Sequence, residues 1–162
     1  MNKELIIKKL SLTKHIEGGY FGETYRSEGL IETDRENSSR SILTSIYYML
    51  TDDRNIGYFH VNKSDIIHYF HGGSALTYLI IHPNGKLEKI KLGNDLLNGQ
   101  VPQLIVRGGC YKATILEDGE YGLLGEAVAP GFDYIDMKIA KAEELSVKFP
   151  ELMDEISEYI KK

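Results

Sequence analysis

From Tyr20 to Ala140 the chain breaks into many short runs rich in Ile, Val, Tyr and Thr, and glycine, asparagine or aspartate turn signals separate most of them. Runs of this length and composition are typical of β-strands. Many short strands at near-regular spacing predict a β-sandwich or a β-barrel. The predicted strands are 20–26, 41–50, 57–62, 65–71, 74–82, 86–92, 103–107, 110–117, 121–129 and 132–140.

At the two ends of the chain the apolar residues recur at helical rather than strand-like spacing. Residues 3–10 carry apolar side chains near helical spacing and predict a short N-terminal helix. Residues 142–149 and 151–160 predict two C-terminal helices, with Pro150 at the first turn of the second. An apolar stripe on the last helix is expected to lie against the barrel; it consists of Leu152, Ile156 and Ile160. The polar, charged stretch 31–41 is expected to be a mobile surface loop.

Length and charge limit the number of domains and the partners. A chain of 162 residues with 42% apolar content is expected to form a single domain spanning 1–162. The formal charge of −5 and the absence of a dense basic cluster argue against nucleic acid and anionic membranes as partners. No run approaches 18 apolar residues, so no membrane span is expected. A small-molecule ligand is the expected partner.

Cys110 is the single cysteine, which fits a reducing cytoplasm and predicts a buried packing thiol. The charged N-terminal decapeptide lacks the apolar centre of a signal peptide. We also expect a homodimer, because an open sheet edge needs cover and the N-terminal strands can supply it.

The stretch His15 to Ser27, HIEGGYFGETYRS, is too polar for an ordinary core. A strand over 20–26 would place Glu23 on one face and Arg26 on the other, and the sequence does not decide which face meets a pocket. Either residue is a candidate ligand-binding residue, and an internal salt bridge between them is the structural alternative.

Four glycine-containing strings carry the candidate chemistry, and their layout resembles a cupin, the double-stranded β-helix or jelly-roll barrel. The strings cover residues 15–27, 57–73, 99–113 and 125–134. In the metal-binding cupin motifs, His60 takes the place of the first histidine, Asn62 that of the second and Lys112 that of the last. An ammonium at a ligand position opposes a cation, so we expect no bound metal and no cofactor. If Ile66 faces the interior, His68 shares its face near His60, and a metal shared by these two histidines stays open.

At closer range the chain resembles an uncharacterised family of single-domain cupins whose members share EGGYFxETYRS and AVAPGFDY stretches. Both stretches are present here, as Glu17 to Ser27 and Ala127 to Tyr134. The resemblance implies an all-β cupin barrel with a short N-terminal helix and C-terminal helices. The family in turn is distantly similar to the cupin epimerases of nucleotide-linked keto-sugars, with Gly19 to Glu23 and Gly57 to Asn62 echoing their motifs.

This second resemblance implies a metal-independent isomerase or epimerase of a small polar, carbohydrate-like molecule. His60 is the candidate catalytic base, and Lys112 or Arg26 would stabilise the enolate. A non-catalytic ligand-binding cupin and a metal-dependent cupin enzyme stay open as alternatives, so whether the chain is an enzyme is undecided at this point. The candidate ligand-binding residues are Glu23, Arg26, Tyr48, Asn62, His68, Lys112 and Glu126.

Overall fold

The fold is described by a computed structural model that covers residues 2–162. The strands in this range are β1 (Thr13–Lys14), β2 (Tyr20–Arg26), β3 (Leu30–Glu32), β4 (Ser39–Ser41), β5 (Thr44–Thr51), β6 (Ile56–Asn62), β7 (Asp65–Gly73), β8 (Leu76–Ile81), β9 (Leu87–Leu92), β10 (Gln103–Val106), β11 (Tyr111–Ile115), β12 (Tyr121–Ala129) and β13 (Met137–Ile139). The α-helices are α1 (Lys3–Lys9), α2 (Ala142–Lys148) and α3 (Met153–Ile156), and 3-10 turns lie at Leu96–Asn98, Tyr134–Asp136, Pro150–Leu152 and Ser157–Tyr159.

The strands form two antiparallel sheets. One sheet has the order β1-β2-β5-β12-β7-β10, and the other has the order β13-β6-β11-β8-β9. From β5 onward the chain alternates between the sheets, with the β8–β9 hairpin as the exception. This alternation is the winding of a double-stranded β-helix, and the all-β cupin barrel expected from the sequence is confirmed.

Three apolar clusters hold the layers together. The central cluster contains side chains from both sheets, including Leu50, Tyr78 and Leu124. A second cluster joins the outer face of the five-stranded sheet to the C-terminal helices, and Leu152, Ile156 and Ile160 belong to it as the helical stripe predicted. A third cluster packs α1 on the outer face of the six-stranded sheet. Cys110 is buried, as predicted.

The C-terminal helical segment differs in detail from the prediction. The expected helix over 151–160 consists of α3 flanked by two 3-10 turns. Turns of this tighter type are common where helices begin and end, and four residues of α-helix leave little room between the two ends. None of the helices within residues 2–162 is both long and apolar enough to cross a membrane.

The strand predicted over 132–140 is shorter than expected. Only Met137–Ile139 is a strand, because the Asp133 side chain accepts the Ile135 N–H at 3.0 Å and starts a 3-10 turn instead. A short polar side chain that hydrogen-bonds the backbone in this way competes with strand pairing. The turn brings Phe132, Asp133 and Tyr134 to one end of the barrel.

Residues 31–41 are not a featureless loop. They contain most of the β3–β4 hairpin, which is fastened to the barrel by a buried ion pair. Arg40 donates from Nε to Asp136 Oδ2 at 2.9 Å and from Nη2 to Oδ1 at 3.0 Å, and Arg35 Nη1 adds a third contact at 2.9 Å. The partners are 96 residues apart in sequence, which is why a local pattern could not reveal them.

Removing the charge of Asp136 should destabilise the fold. In Asp136→Asn, Arg40 is left buried without its counter-charge, which costs about 3 kcal/mol of the free energy of unfolding. Asp65→Asn is the matched control, because Asp65 forms an exposed pair with Arg107 whose loss costs under about 1 kcal/mol. Urea unfolding measures both variants, and equal losses would show that the buried cluster is not a fastening point.

Candidate functional site

The strand register places the polar residues of the barrel interior in two rows. Across the six-stranded sheet, Glu23 pairs with Ile46, Ile46 with Glu126 and Glu126 with His68. Across the five-stranded sheet, Lys112 pairs with His60. Residues directly opposite each other in an antiparallel pair point to the same face, so each row presents its side chains together.

A loop from the N-terminal segment carries two further polar residues, His15 and Glu17, to the barrel interior. The loop turns at Gly18 and Gly19, whose φ angles of +109° and +63° suit glycine. A Cβ on Gly18 would collide with the backbone of Ile56, so only glycine allows this close approach. The Tyr58 N–H donates to the carbonyl of Glu17 at 2.6 Å, and this bond sets Glu17 beside β6.

Together these elements enclose a cavity of about 330 Å³, near the small end of ligand pockets in proteins. Its mouth is marked by half-exposed side chains, among them Glu23, Arg26 and Tyr134. Its inner end is lined by buried polar groups. The lining residues are His15, Glu17, Phe21, Glu23, Arg26, Thr44, Ile46, His60, Asn62, Ile66, Glu126, Val128, Phe132, Asp133 and Tyr134.

A bulge in β2 places Glu23 and Arg26 on the same face of the strand, the face that meets the cavity. Glu23 pairs with Ile46 and Tyr25 with Ser45, so Thr24 is an extra residue and the alternation shifts by one. Regular alternation would have put Glu23 and Arg26 on opposite faces. Because of the bulge both line the cavity, where Arg26 donates to Glu23 from Nε at 3.1 Å and from Nη2 at 2.7 Å.

A buried ion cluster lies behind the inner end of the cavity. Lys112 Nζ is 3.3 Å from Glu126 Oε1 and donates to His68 Nε2 at 3.2 Å. Because an ammonium can only donate, His68 Nε2 is an acceptor and its proton is on Nδ1. That nitrogen lies 3.1 Å from Glu126 Oε1 and 3.1 Å from the Tyr78 hydroxyl.

The cluster fixes the charge of Glu126. Burial alone would raise the pKa of Glu126, but Lys112 and His68 lower it well below its ordinary value. Burial and the charge of Lys112 also lower the pKa of His68 from 6.5 to about 4. At neutral pH Glu126 is therefore an ionised carboxylate and His68 a neutral imidazole.

The surroundings of Glu17 differ from those of Glu126, because Glu17 lies beside imidazole nitrogens rather than an ammonium. Its Oε2 lies 3.3 Å from His60 Nε2 and 3.5 Å from His15 Nδ1. His60 Nδ1 lies 2.8 Å from the Tyr58 carbonyl, which can only accept, so the ring proton is on Nδ1 and Nε2 carries a lone pair. His15 Nδ1 accepts the Glu17 N–H at 3.3 Å, so its single lone pair is also on the nitrogen that faces Glu17.

Two lone pairs facing one carboxyl oxygen favour a protonated carboxyl, which can donate where a carboxylate would be repelled. Burial acts in the same direction and raises the pKa of Glu17 from 4.5 to about 8. Burial and Lys112 lower the pKa of His60 to about 3, and burial lowers that of His15 to about 4. Two carboxyl groups of one cavity thus hold opposite protonation states at neutral pH.

The residues at the motif positions do not fit a metal ion. The Lys112 ammonium lies within contact distance of both Glu126 and His68, so the lone pairs that a cation would need are already facing a positive charge. His60 Nε2 faces Glu17, whereas His68 Nε2 faces Lys112, so the two imidazoles do not converge on one point. Within residues 2–162, no group of three His, Cys, Asp or Glu side chains is arranged to hold a metal.

The candidate residues from the sequence fall in three positions. Glu23, Arg26, His60, Asn62 and Glu126 line the cavity. His68 and Lys112 are buried behind it and act on it through Glu126. Tyr48 lies in the central core, where its hydroxyl donates to the Gly18 carbonyl at 3.0 Å and holds the N-terminal loop.

Sequence reasoning missed several cavity residues. Glu17 is the most important of them, and its signal was its place as the first residue of the EGGYFxETYRS stretch. His15, Phe132, Asp133 and Tyr134 were also missed as site residues. Phe132, Asp133 and Tyr134 end the AVAPGFDY stretch, so both shared stretches contribute to the cavity.

The raised pKa of Glu17 predicts a specific dependence of stability on pH. Between about pH 4.5 and 8 the folded protein holds a proton on Glu17 that the unfolded chain releases, so this group stabilises the fold at low pH and its contribution disappears as the pH rises through 8. Glu17→Gln keeps a donor but cannot ionise. The stability of Glu17→Gln relative to the natural protein should therefore rise from pH 5 to pH 8.5 in urea unfolding. Parallel curves for the two proteins over this range would mean that Glu17 has an ordinary pKa.

Comparisons with known proteins agree with the fold. The Cupin_5 family, described as Cupin superfamily (DUF985), matches residues 4–140. The uncharacterized protein YML079W of Saccharomyces cerevisiae is 40% identical over 152 residues, which cover 86% of this chain and 75% of the yeast protein.

Solved structures give the same result. Protein SO0799 from Shewanella oneidensis has 32% identity and a TM-score of 0.90, with 99% of this chain and 98% of the other covered. A hypothetical protein from Leishmania major has 26% identity and a TM-score of 0.92 over the full length of both chains.

A more distant likeness concerns the fold alone. Oxalate decarboxylase from Bacillus subtilis has 16% identity and a TM-score of 0.54, with 88% of this chain and 36% of the other covered. The family match over 4–140, the yeast relative and the barrel agree with one another: this chain belongs to the cupin superfamily, in the family Cupin_5 (DUF985).

Proposed function

We propose that the chain binds a small polar, carbohydrate-like molecule in the cavity and moves a proton on it without a metal, as an isomerase or epimerase does. The observation that carries the proposal is a pair of carboxyl groups in one cavity with opposite surroundings, because Glu17 faces the imidazole nitrogens of His60 and His15 whereas Glu126 contacts the Lys112 ammonium. Environments that push two pKa values apart in this way separate a proton donor from a fixed negative acceptor.

Glu17 and His60 divide the proton transfer between them. For a substrate with a carbonyl group, Glu17 gives its proton to the carbonyl oxygen while His60 Nε2 takes the proton from the adjacent carbon, which leaves an enol, a carboxylate and an imidazolium. The low pKa of His60 reflects burial and Lys112 while Glu17 is neutral. As Glu17 becomes a carboxylate 3.3 Å away, it favours the imidazolium, so His60 becomes a stronger base during the step. After the enol turns over in the cavity, the His60 imidazolium returns its proton to the opposite face of the carbon while Glu17 takes back the enol hydroxyl proton, which gives the epimer and restores both residues to their starting states.

Glu17 also stabilises the enolate, a role that the sequence predicted for a cation. The sequence suggested Lys112 or Arg26 as the group that stabilises the enolate, but Lys112 is held by Glu126 and His68, and Arg26 is held by Glu23. A proton from Glu17 neutralises the developing oxyanion directly. Glu126 and Asn62 then serve to bind and orient ligand hydroxyl groups.

The test is hydrogen exchange at carbon. The protein is incubated in D₂O with a panel of free and nucleotide-linked keto-sugars, and NMR follows loss of the proton next to the carbonyl. His60→Asn and Glu17→Gln should slow the exchange by about 10²-fold or more, the usual size of a general acid–base contribution. Melting temperatures are compared at about pH 5, where Glu17 of the natural protein is protonated, and both variants should melt near the natural protein there. His71→Asn is the control, because His71 is an exposed histidine of β7 outside the cavity lining.

Three results decide between the alternatives. A large fall in melting temperature of His60→Asn with unchanged exchange would make His60 a structural residue. Tight retention of a ligand identified by mass spectrometry, with no exchange at any of its carbons, would favour the non-catalytic binding cupin. Exchange that depends on an added divalent metal would favour the metal-dependent enzyme.

The homodimer stays a prediction. Its support is a set of large apolar side chains that are exposed around the end of β2 and the β3–β4 hairpin, where the N-terminal strands would meet a second copy. They are Tyr25, Leu30, Ile31 and Ile42.

A further inference from the structure

The mouth of the cavity has a carboxylate that no cation in residues 2–162 pairs with. Asp133 lines the cavity and is half-buried, and its one described side-chain contact is with the Ile135 N–H at Oδ1. The neighbouring Glu23 is matched by Arg26, and deeper in the barrel Glu126 is matched by Lys112. Arg26 and Arg40 act on Asp133 from beyond ion-pair distance, and Arg26 Nη1 donates to the neighbouring Phe132 carbonyl at 3.2 Å. Both guanidinium groups already pair with other carboxylates, Arg26 with Glu23 and Arg40 with Asp136. Asp133 is thus a cavity-lining carboxylate without an ion pair of its own within residues 2–162, and ionisation of Glu17 would add negative charge.

Three aromatic residues line the cavity together with this carboxylate. Phe132 and Tyr134 are its direct neighbours in sequence, and their ring centroids are 5.0 Å apart. Phe21 lines the same cavity from β2. Aromatic faces beside a carboxylate attract an ammonium group, because the negative face of the ring and the carboxylate charge act in the same direction.

The inner end of the cavity favours a different ligand group, one that donates a hydrogen bond. His60 is 3% exposed, and its Nε2 has no well-aligned hydrogen-bond partner although Glu17 Oε2 lies 3.3 Å away. Within residues 2–162, the proton of Glu17 is the only donor beside this buried acceptor, and a ligand hydroxyl group that reaches the inner end could replace it as the donor. The ionised Glu126 lines the same cavity and also accepts.

We propose that the ligand is a small hydroxylated molecule with one ammonium group, of the free amino-sugar class, whose ammonium binds Asp133 at the aromatic-lined mouth while its hydroxyl groups reach His60 and Glu126. This inference rests on the proposed function only in taking the cavity as the ligand site. It differs from the substrate that the epimerase resemblance implies, because Arg26 is the only Lys or Arg among the cavity-lining residues within 2–162 and is already held by Glu23. A nucleotide-linked sugar brings two negative phosphates to this mouth, with no free cation to receive them.

Four probes built on one sugar test whether the cavity prefers a positively charged ligand. Glucosamine, glucose, glucose 6-phosphate and UDP-glucose share a hexose and differ mainly in charge, and their affinities are measured by protein-observed NMR titration at low salt. Glucosamine should bind most tightly, glucose more weakly, and the two phosphorylated probes weakest. In Asp133→Asn the preference for glucosamine over glucose should fall by about tenfold, the size of one charge-assisted hydrogen bond, with glucose affinity unchanged.

The control removes a negative charge elsewhere. Glu155 is an exposed residue of α3 outside the cavity lining, and Glu155→Gln should keep the full preference for glucosamine. Asp133→Asn retains the side-chain oxygen that accepts the Ile135 N–H, so the turn should persist, and backbone chemical shifts report whether it does.

The outcomes separate this inference from the proposed function. Tighter binding of UDP-glucose or glucose 6-phosphate than of glucosamine, an equal loss for glucose in Asp133→Asn, or no binding of any probe would overturn the inference. Proton exchange on a neutral or anionic keto-sugar would leave the proposed proton transfer standing while removing the amino-sugar class. Preferential binding of glucosamine without any exchange on keto-sugars would support the amino-sugar ligand and remove the proposed proton transfer.

Discussion

The ammonium of Lys112 is the charge on which the rest of the cavity depends. It is buried in the barrel between Glu126 and His68, at the position where metal-binding cupins carry a histidine ligand. A buried cation needs a partner, and Glu126 supplies it by staying ionised. The same positive charge lowers the pKa of both His60 and His68, so two potential metal ligands are neutral imidazoles with set tautomers.

The two buried carboxyl groups of the cavity, Glu17 and Glu126, have pKa values shifted in opposite directions. Glu17 comes from a loop rather than from the sheets, and it faces lone pairs on His60 and His15 instead of an ammonium. Burial then raises its pKa, whereas the partners of Glu126 lower that of Glu126. The glycine pair at Gly18-Gly19 and the Tyr48 hydroxyl hold the loop in place, so a core tyrosine supports the site without lining it.

Much of the fold was visible in the sequence because strand periods and turn residues are local signals. The bounds of β2 and β12 agree with the predicted runs 20–26 and 121–129. The site was visible in part, because His60, Asn62 and Glu126 stand in recognisable strings. The bulge at Thr24 was not predictable, since a single extra residue leaves the composition of a strand unchanged while exchanging its faces.

Other features depend on contacts between distant parts of the chain. The hairpin over 30–41 is fastened by Arg40 and Asp136, and the cavity wall at 132–134 follows from a backbone contact of Asp133. The protonation of Glu17 depends on what buries it, which includes β6, about 40 residues away. No local pattern carries that information.

Neutron diffraction from crystals of deuterated protein at pH 7 locates the protons of the cavity directly. We expect deuterium on a carboxyl oxygen of Glu17 and on Nδ1 of both His60 and His68, three deuterons on Lys112 Nζ, and none on Glu126 or on His60 Nε2. Deuterium on Glu126 together with an ionised Glu17 would contradict this expectation, as would an imidazolium at His60.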